Sequence, residues 1–96
     1  MTRKYELMVI FSPELDEPGL KAEIAVVERL VDKVKGKIVK VDDWGKRSLA
    51  YLIKKQVEGV YKLWTIELDA KVAQEVDKDL NVAENILRYL LVVARA

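Results

Sequence analysis

Residues 44–55 read WGKRSLAYLIKK, from Trp44 to Lys55, with four basic side chains, two aromatics and no acid. The middle, Leu49-Ala50-Tyr51-Leu52-Ile53, has the apolar, aromatic and β-branched character of a strand. Charged ends on such a strand serve two ends: they keep an edge from aggregating, or they hold something negative. Both uses remain open at this point.

KIVKVDDW (37–44) extends the same strand towards the N-terminus, and KKQVEG (54–59) supplies a loop after it. VYKLWTIEL (60–68) reads as a third strand. Upstream, YELMVIF (5–11) is a first strand, broken by the turn-rich SPELDEPG. Asp16 is a candidate N-cap, with Pro18 tolerated in the first helical turn. Leu20, Ile24, Val27, Val31 and Val34 then recur at helical spacing until Gly36, after Lys35, stops the helix. Downstream, Asp69 caps a second helix with apolar positions Val72, Ala73, Val76 and Leu80 and a stop at Asn81. ILRYLLVV (86–93) is the last strand.

The order β-α-β-β-α-β, with no repeat or linker, predicts one α+β domain over residues 1–96. Its expected form is a ferredoxin-like two-layer sandwich: a four-stranded antiparallel sheet with both helices on one face. The first and third strands are then central and the second is an edge.

Two layers leave one sheet face open. By parity, Tyr5, Leu7, Val9 and Phe11 look inward, and so do Leu87, Tyr89, Leu91 and Val93. Lys4, Glu6, Met8 and Ile10 look outward with Ile86, Arg88, Leu90 and Val92. Met8, Ile10, Ile86, Leu90 and Val92 are too apolar for a face that meets only water, so they are expected to meet another macromolecule, unless a bulge or loop covers part of them. The second and third strands do not sort cleanly: Lys62 shares its parity with Trp64 and Ile66.

Composition narrows the chemistry. Of 96 residues none is cysteine or histidine, which excludes disulfides, the usual zinc sites and Ser-His or Cys-His catalysis. No cofactor is expected. Asp42 and Asp43 are adjacent, so on a strand they point to opposite faces and do not readily share a cation. None of the glycines at 19, 36, 45 and 59 builds a phosphate loop, and Gly45 and Gly59 are expected at bends or turns. The N-terminus lacks a signal-peptide pattern and no apolar run has membrane-spanning length, so the cytoplasm is the expected compartment.

A net charge of +1 argues against indiscriminate nucleic-acid binding but leaves room for a local basic region. Lys46, Arg47, Lys54 and Lys55 form one in sequence, and Arg3, Lys4, Arg88 and Arg95 at strand ends are expected to join it. These cations suit phosphates, while Trp44, Tyr51, Tyr61 and Trp64 are candidates for stacking on unpaired bases or touching a partner. Aromatics in strands also serve as core. The basic-glycine-aromatic signature of the common RNA-recognition motif is absent from EGVYKLWTIE. A rival use of the same fold is a ligand-sensing module that dimerises through its sheet.

The opening KYELMVIF and SPELD, and above all DDWGKRSLAYLIKK and the closing NILRYLLVV, resemble the bacterial small-subunit ribosomal protein S-six (S6) family across essentially the whole chain. The hallmark is a glycine, basic residues, then Leu-Ala-Tyr, an apolar pair and a lysine, here Gly45 to Lys55. The resemblance implies the ferredoxin-like fold and no enzymatic activity. It also implies binding to the central domain of 16S ribosomal RNA as a heterodimer with the small basic protein S-eighteen, in support of subunit assembly and translation. A basic partner would let a near-neutral chain bind RNA, and would cover part of the open face. Two features depart from the pattern. Leu52 stands where members usually have proline, restoring a backbone donor. Many members carry a longer polar tail than this sequence, which ends at Ala96, so nothing belonging to that tail is carried over.

Overall fold

The computed structural model describes residues 2–83 and 85–94 of the chain. Strand β1 (Thr2–Phe11) leads to helix α1 (Glu17–Lys33). Asp16 caps that helix: its Oδ1 accepts the Gly19 N–H at 2.8 Å. The other end closes by two bonds, Gly36 N–H to the Val31 carbonyl and Lys35 N–H to the Asp32 carbonyl, both 2.9 Å. Lys35, not Gly36, takes the left-handed conformation, at φ 61°. Gly36 is required for space, since a Cβ there would meet Leu68 and Val31.

Strands β2 (Lys37–Ile53) and β3 (Gln56–Asp69) form one long hairpin. The loop expected over 54–59 shrinks to Lys54-Lys55, both left-handed at φ 49° and 67°, as a two-residue type I′ turn demands. Gln56 to Gly59 belong to β3. Gly59 is therefore not a turn glycine: it pairs with Arg47, and a Cβ there would collide with Ile10. Gly45 does serve a bend, at φ 72° beside a register shift that leaves Trp44 unpaired.

A 3-10 turn (Ala70–Val72), with Asp69 Oδ1 accepting the Lys71 N–H at 3.0 Å, enters helix α2 (Ala73–Asn81), and strand β4 (Ile86–Val93) ends the fold. The strand order is β2-β3-β1-β4, antiparallel throughout, with β1 and β3 central as the sequence predicts.

The core lies between one sheet face and the helices. Tyr5, Leu7, Val9 and Phe11 alternate into it from β1, joined by Trp64, Ile66 and Leu68 from β3. Val27 and Val31 of α1 and Val76 and Leu80 of α2 close it. Lys62, the misfit in β3, stays on this face at its margin, its ammonium 5.7 Å from the Trp64 ring centre.

Parity misplaces one residue of β4. Ile86 is buried in the core rather than on the open face, because Ile10 pairs with Arg88 whereas Phe11 pairs with Ile86. The extra residue, Leu87, forms a bulge that reverses the side of everything before it. Tyr89 and Leu91 do pack on the core, while Val93 at the strand end is exposed.

Candidate nucleic-acid interface

On the open face Met8 sits between Leu63 of β3 and Leu90 of β4, and Glu6 pairs with Val92. These residues and Trp44 line a shallow, mostly apolar depression. Leu90 is 59% exposed, Trp44 42% and Val92 40%, a large apolar presence for a face with no layer over it. Ile10, expected on this face, is there but contributes little surface, being 9% exposed. Its Cγ2 and Leu49 Cδ2 both lie close over Gly59, so the end of the β2–β3 hairpin covers it.

Trp44 anchors a second feature. Its ring lies nearly parallel to that of Tyr61, with an 11° interplanar angle and centres 6.4 Å apart. The Arg47 guanidinium is 5.2 Å from the Trp44 ring centre, and Arg47 Nε donates to the Trp44 carbonyl at 3.3 Å. The bulge supports this arrangement: Asp43 Oδ1 accepts the Gly45 N–H at 3.0 Å.

The third feature is the hairpin end. Between the pairs Ser48–Glu58 and Ile53–Gln56, β2 has the four residues 49–52 where β3 has only Val57. The surplus lets this end reach past β1 to β4. Arg88 Nη1 donates to Tyr51 Oη, and the guanidinium is 5.9 Å from the Tyr51 ring centre. Lys54 Nζ donates to the Ile86 carbonyl at 3.2 Å, and Gln56 Nε2 donates to Glu14 Oε1 at 3.0 Å. Lys54, Lys55 and Arg88 thus gather at one end of the sheet, with Lys46 and Arg47 further down β2.

Arg3 and Lys4 do not join them. In the β1 ladders Arg88 lies opposite Ile10, so Arg3 is seven residues away, about 23 Å along an extended strand. Lys4 pairs directly with Glu67. The basic region expected as one is two. Arg95 lies outside the described residues.

Trp64 is corrected outright as a stacking or partner residue. It is fully buried, edge-on to Phe11, and its Nε1 donates to Glu28 Oε2 at 3.0 Å. It alternates with Ile66 and Leu68 into the core. The same alternation places Tyr61 and Leu63 on the open face, where Leu63 joins Met8 and Leu90.

The perturbed titrations lie away from these features. The Lys71 N–H holds the Asp69 carboxyl below its usual range, and burial, with the Asp77 carboxylate beside it, raises the Tyr89 phenol. Among the described residues no three metal-ligating side chains converge.

Comparison with known proteins fits this geometry. The family model described as ribosomal protein S6 matches residues 4–93. A small ribosomal subunit protein bS6 from Thermoanaerobacter pseudethanolicus is 42% identical over 90 residues, covering 94% of this chain and 95% of the relative. One from Clostridium botulinum strain 657 is 36% identical over 94% of this chain and 96% of its own. The crystal structure of 30S ribosomal protein S6 from Thermotoga maritima superposes with a TM-score of 0.92 at 32% identity, covering 98% of this chain and 89% of that one. The chain belongs to the ribosomal protein S6 family, a structural and non-enzymatic component of the small ribosomal subunit, and its place is in the ribosome, in the cytoplasm.

Proposed function

We propose that the chain binds the central domain of 16S ribosomal RNA jointly with protein S-eighteen and so supports small-subunit assembly and translation. The observation that carries this reading is the division of the exposed surface. Cations cluster along the β2–β3 hairpin and its contact with β4, while the sheet beside them presents Met8, Leu90 and Val92 with Trp44. Phosphates favour the first surface and a protein partner favours the second.

In this reading Lys46, Arg47, Lys54, Lys55 and Arg88 contact RNA phosphates. Arg3 and Lys4, at the far end of β1, serve a separate stretch of backbone. Trp44, with Arg47 against its ring, stands where the two surfaces meet. Phosphate contacts orient a protein but do not read sequence, so specificity comes from the folded shape of the RNA and from the partner. A net charge of +1 supports the need for a basic partner.

A pull-down from bacterial lysate at low and high salt tests the reading. Recovery of small-subunit RNA with a small basic protein at low salt, and loss of the RNA at high salt, is the expected outcome. Recovery of neither would overturn it. A homodimer stabilised by a metabolite would favour the ligand-sensing alternative instead.

A further inference from the structure

We infer that Tyr51 is a positioning residue: it clasps the hairpin end onto β4 and thereby holds Arg88, Lys54 and Lys55 as one preformed cationic cluster for a phosphate backbone. The inference rests on the RNA-binding reading and adds a residue role to it.

The hairpin end needs holding. Residues 49–52 face only Val57 across the ladder, so the pairing of β2 with β3 does not determine where they lie. Lys54 and Lys55 both occupy left-handed backbone without being glycine or asparagine. Such a conformation persists when surrounding contacts impose it. Three side-chain bonds tie this end down: Tyr51 to Arg88, Lys54 to the Ile86 carbonyl, and Gln56 to Glu14.

Of these, only the Tyr51 bond joins the hairpin to a cation of β4. The Leu87 bulge lets β4 present Arg88 there while Ile86 stays in the core. Tyr51 accepts from one nitrogen of the guanidinium, which has five N–H donors, so donors remain for a forked contact with phosphate. An arginine already held in place loses less rotamer freedom on binding. Tyr51 is 60% exposed, so it is not retained for core burial. Its hydroxyl accepts from Arg88, a role separate from the base stacking that its aromatic character suggests.

The test compares the full chain with Tyr51→Phe, Arg88→Ala and the double variant, each with S-eighteen present. Affinity for a transcript of the 16S central domain is measured across a salt series. Tyr51→Phe keeps the ring and loses the acceptor, and is expected to weaken binding about fivefold, the size of one lost hydrogen bond. Arg88→Ala should weaken it at least as much, and the double variant no further than Arg88→Ala alone. Losses that multiply in the double variant, or an unchanged Tyr51→Phe, would overturn the inference. A second readout needs no RNA: in the free protein, the Arg88 side-chain NMR signals and the amides of residues 49–55 should shift in Tyr51→Phe, and unshifted spectra would contradict the clasp. If wild-type chain binds no RNA while those shifts occur, the RNA reading fails and Tyr51's role in it falls, though the clasp stands.

Discussion

Trp64 and Trp44 occupy the two faces of one sheet, and they are used in opposite ways. Trp64 is fully buried, packed edge-on against Phe11 and satisfied by Glu28. Trp44 stands out at a bulge of β2, stacked beside Tyr61 and flanked by Arg47. The strands that carry them are neighbours, so strand propensity does not separate the roles. The layer above each face does. Where helices cover the sheet, an aromatic side chain contributes burial and packing to stability. Where nothing covers it, the same residue type is surface available to a partner.

The largest expected effect sharpens that contrast directly. Trp64→Ala should cost about 3–5 kcal/mol in urea denaturation, as other large core truncations do. Trp44→Ala should cost less than ~1 kcal/mol, the usual range for an exposed site. Near-equal losses would erase the distinction between the faces.

Next is a change that should touch binding alone. Reversing charge at Lys46 and Arg47 together should lower affinity for the central-domain RNA by about 1–3 kcal/mol while leaving the fold intact by circular dichroism. An unchanged affinity would remove both residues from the interface.

Two glycines then separate the hairpin's covered and open stretches. Gly59→Ala places a methyl into Ile10 and should destabilise by about 1–3 kcal/mol. Gly45→Ala meets nothing within 4 Å and bears only the strain of its left-handed backbone, about 1 kcal/mol. Denaturation of both variants checks the order; the reverse order would contradict the packing of Ile10 under the hairpin end.

The smallest expected effect concerns pH. The Lys71 N–H favours ionised Asp69 in the folded chain, lowering its pKa below 3.8. That contribution is present above about pH 3.8 and is lost as pH falls through the folded value. Wild type should therefore exceed Asp69→Ala in stability near neutrality, and acid denaturation profiles should show the gap closing below that pH.

The sequence made the fold legible because its signals were local and repeated. Asp16 marks where α1 begins, and the Val27–Val31 and Val76–Leu80 spacings mark the faces the helices bury; Asp69, expected to cap α2, caps the 3-10 turn before it instead. What escaped were single-residue insertions. Parity propagates along a strand only until a bulge, and the bulge at Leu87 is invisible in ILRYLLVV because every candidate residue but one is apolar. The turn at Lys54-Lys55 escaped for a related reason: type I′ turns are read from Asn-Gly or Asp-Gly, and two lysines give no such sign. Gly36 marked the right helix end for the wrong cause, since Lys35 supplies the left-handed residue.

The site was legible as a list of residues but not as a surface. Lys54, Lys55 and Arg88 converge because four residues of β2 face one of β3, a mismatch that appears only once the strands are paired. Arg3 and Lys4 share only their charge with that group, and the length of β1 separates them from it. Trp64 alternates with Ile66 and Leu68 into the core, a pattern that Lys62 at the same parity obscures in the sequence.

The most direct test of the two-surface account is a binding titration of the 16S central-domain transcript, with and without S-eighteen, for wild type and Leu90→Asp. Leu90 is exposed, so the variant should fold normally. Wild type should bind more tightly when S-eighteen is present, and Leu90→Asp should lose that enhancement because a carboxylate interrupts the apolar face. An enhancement equal to wild type in the Leu90→Asp chain would contradict the assignment of the open face to the protein partner.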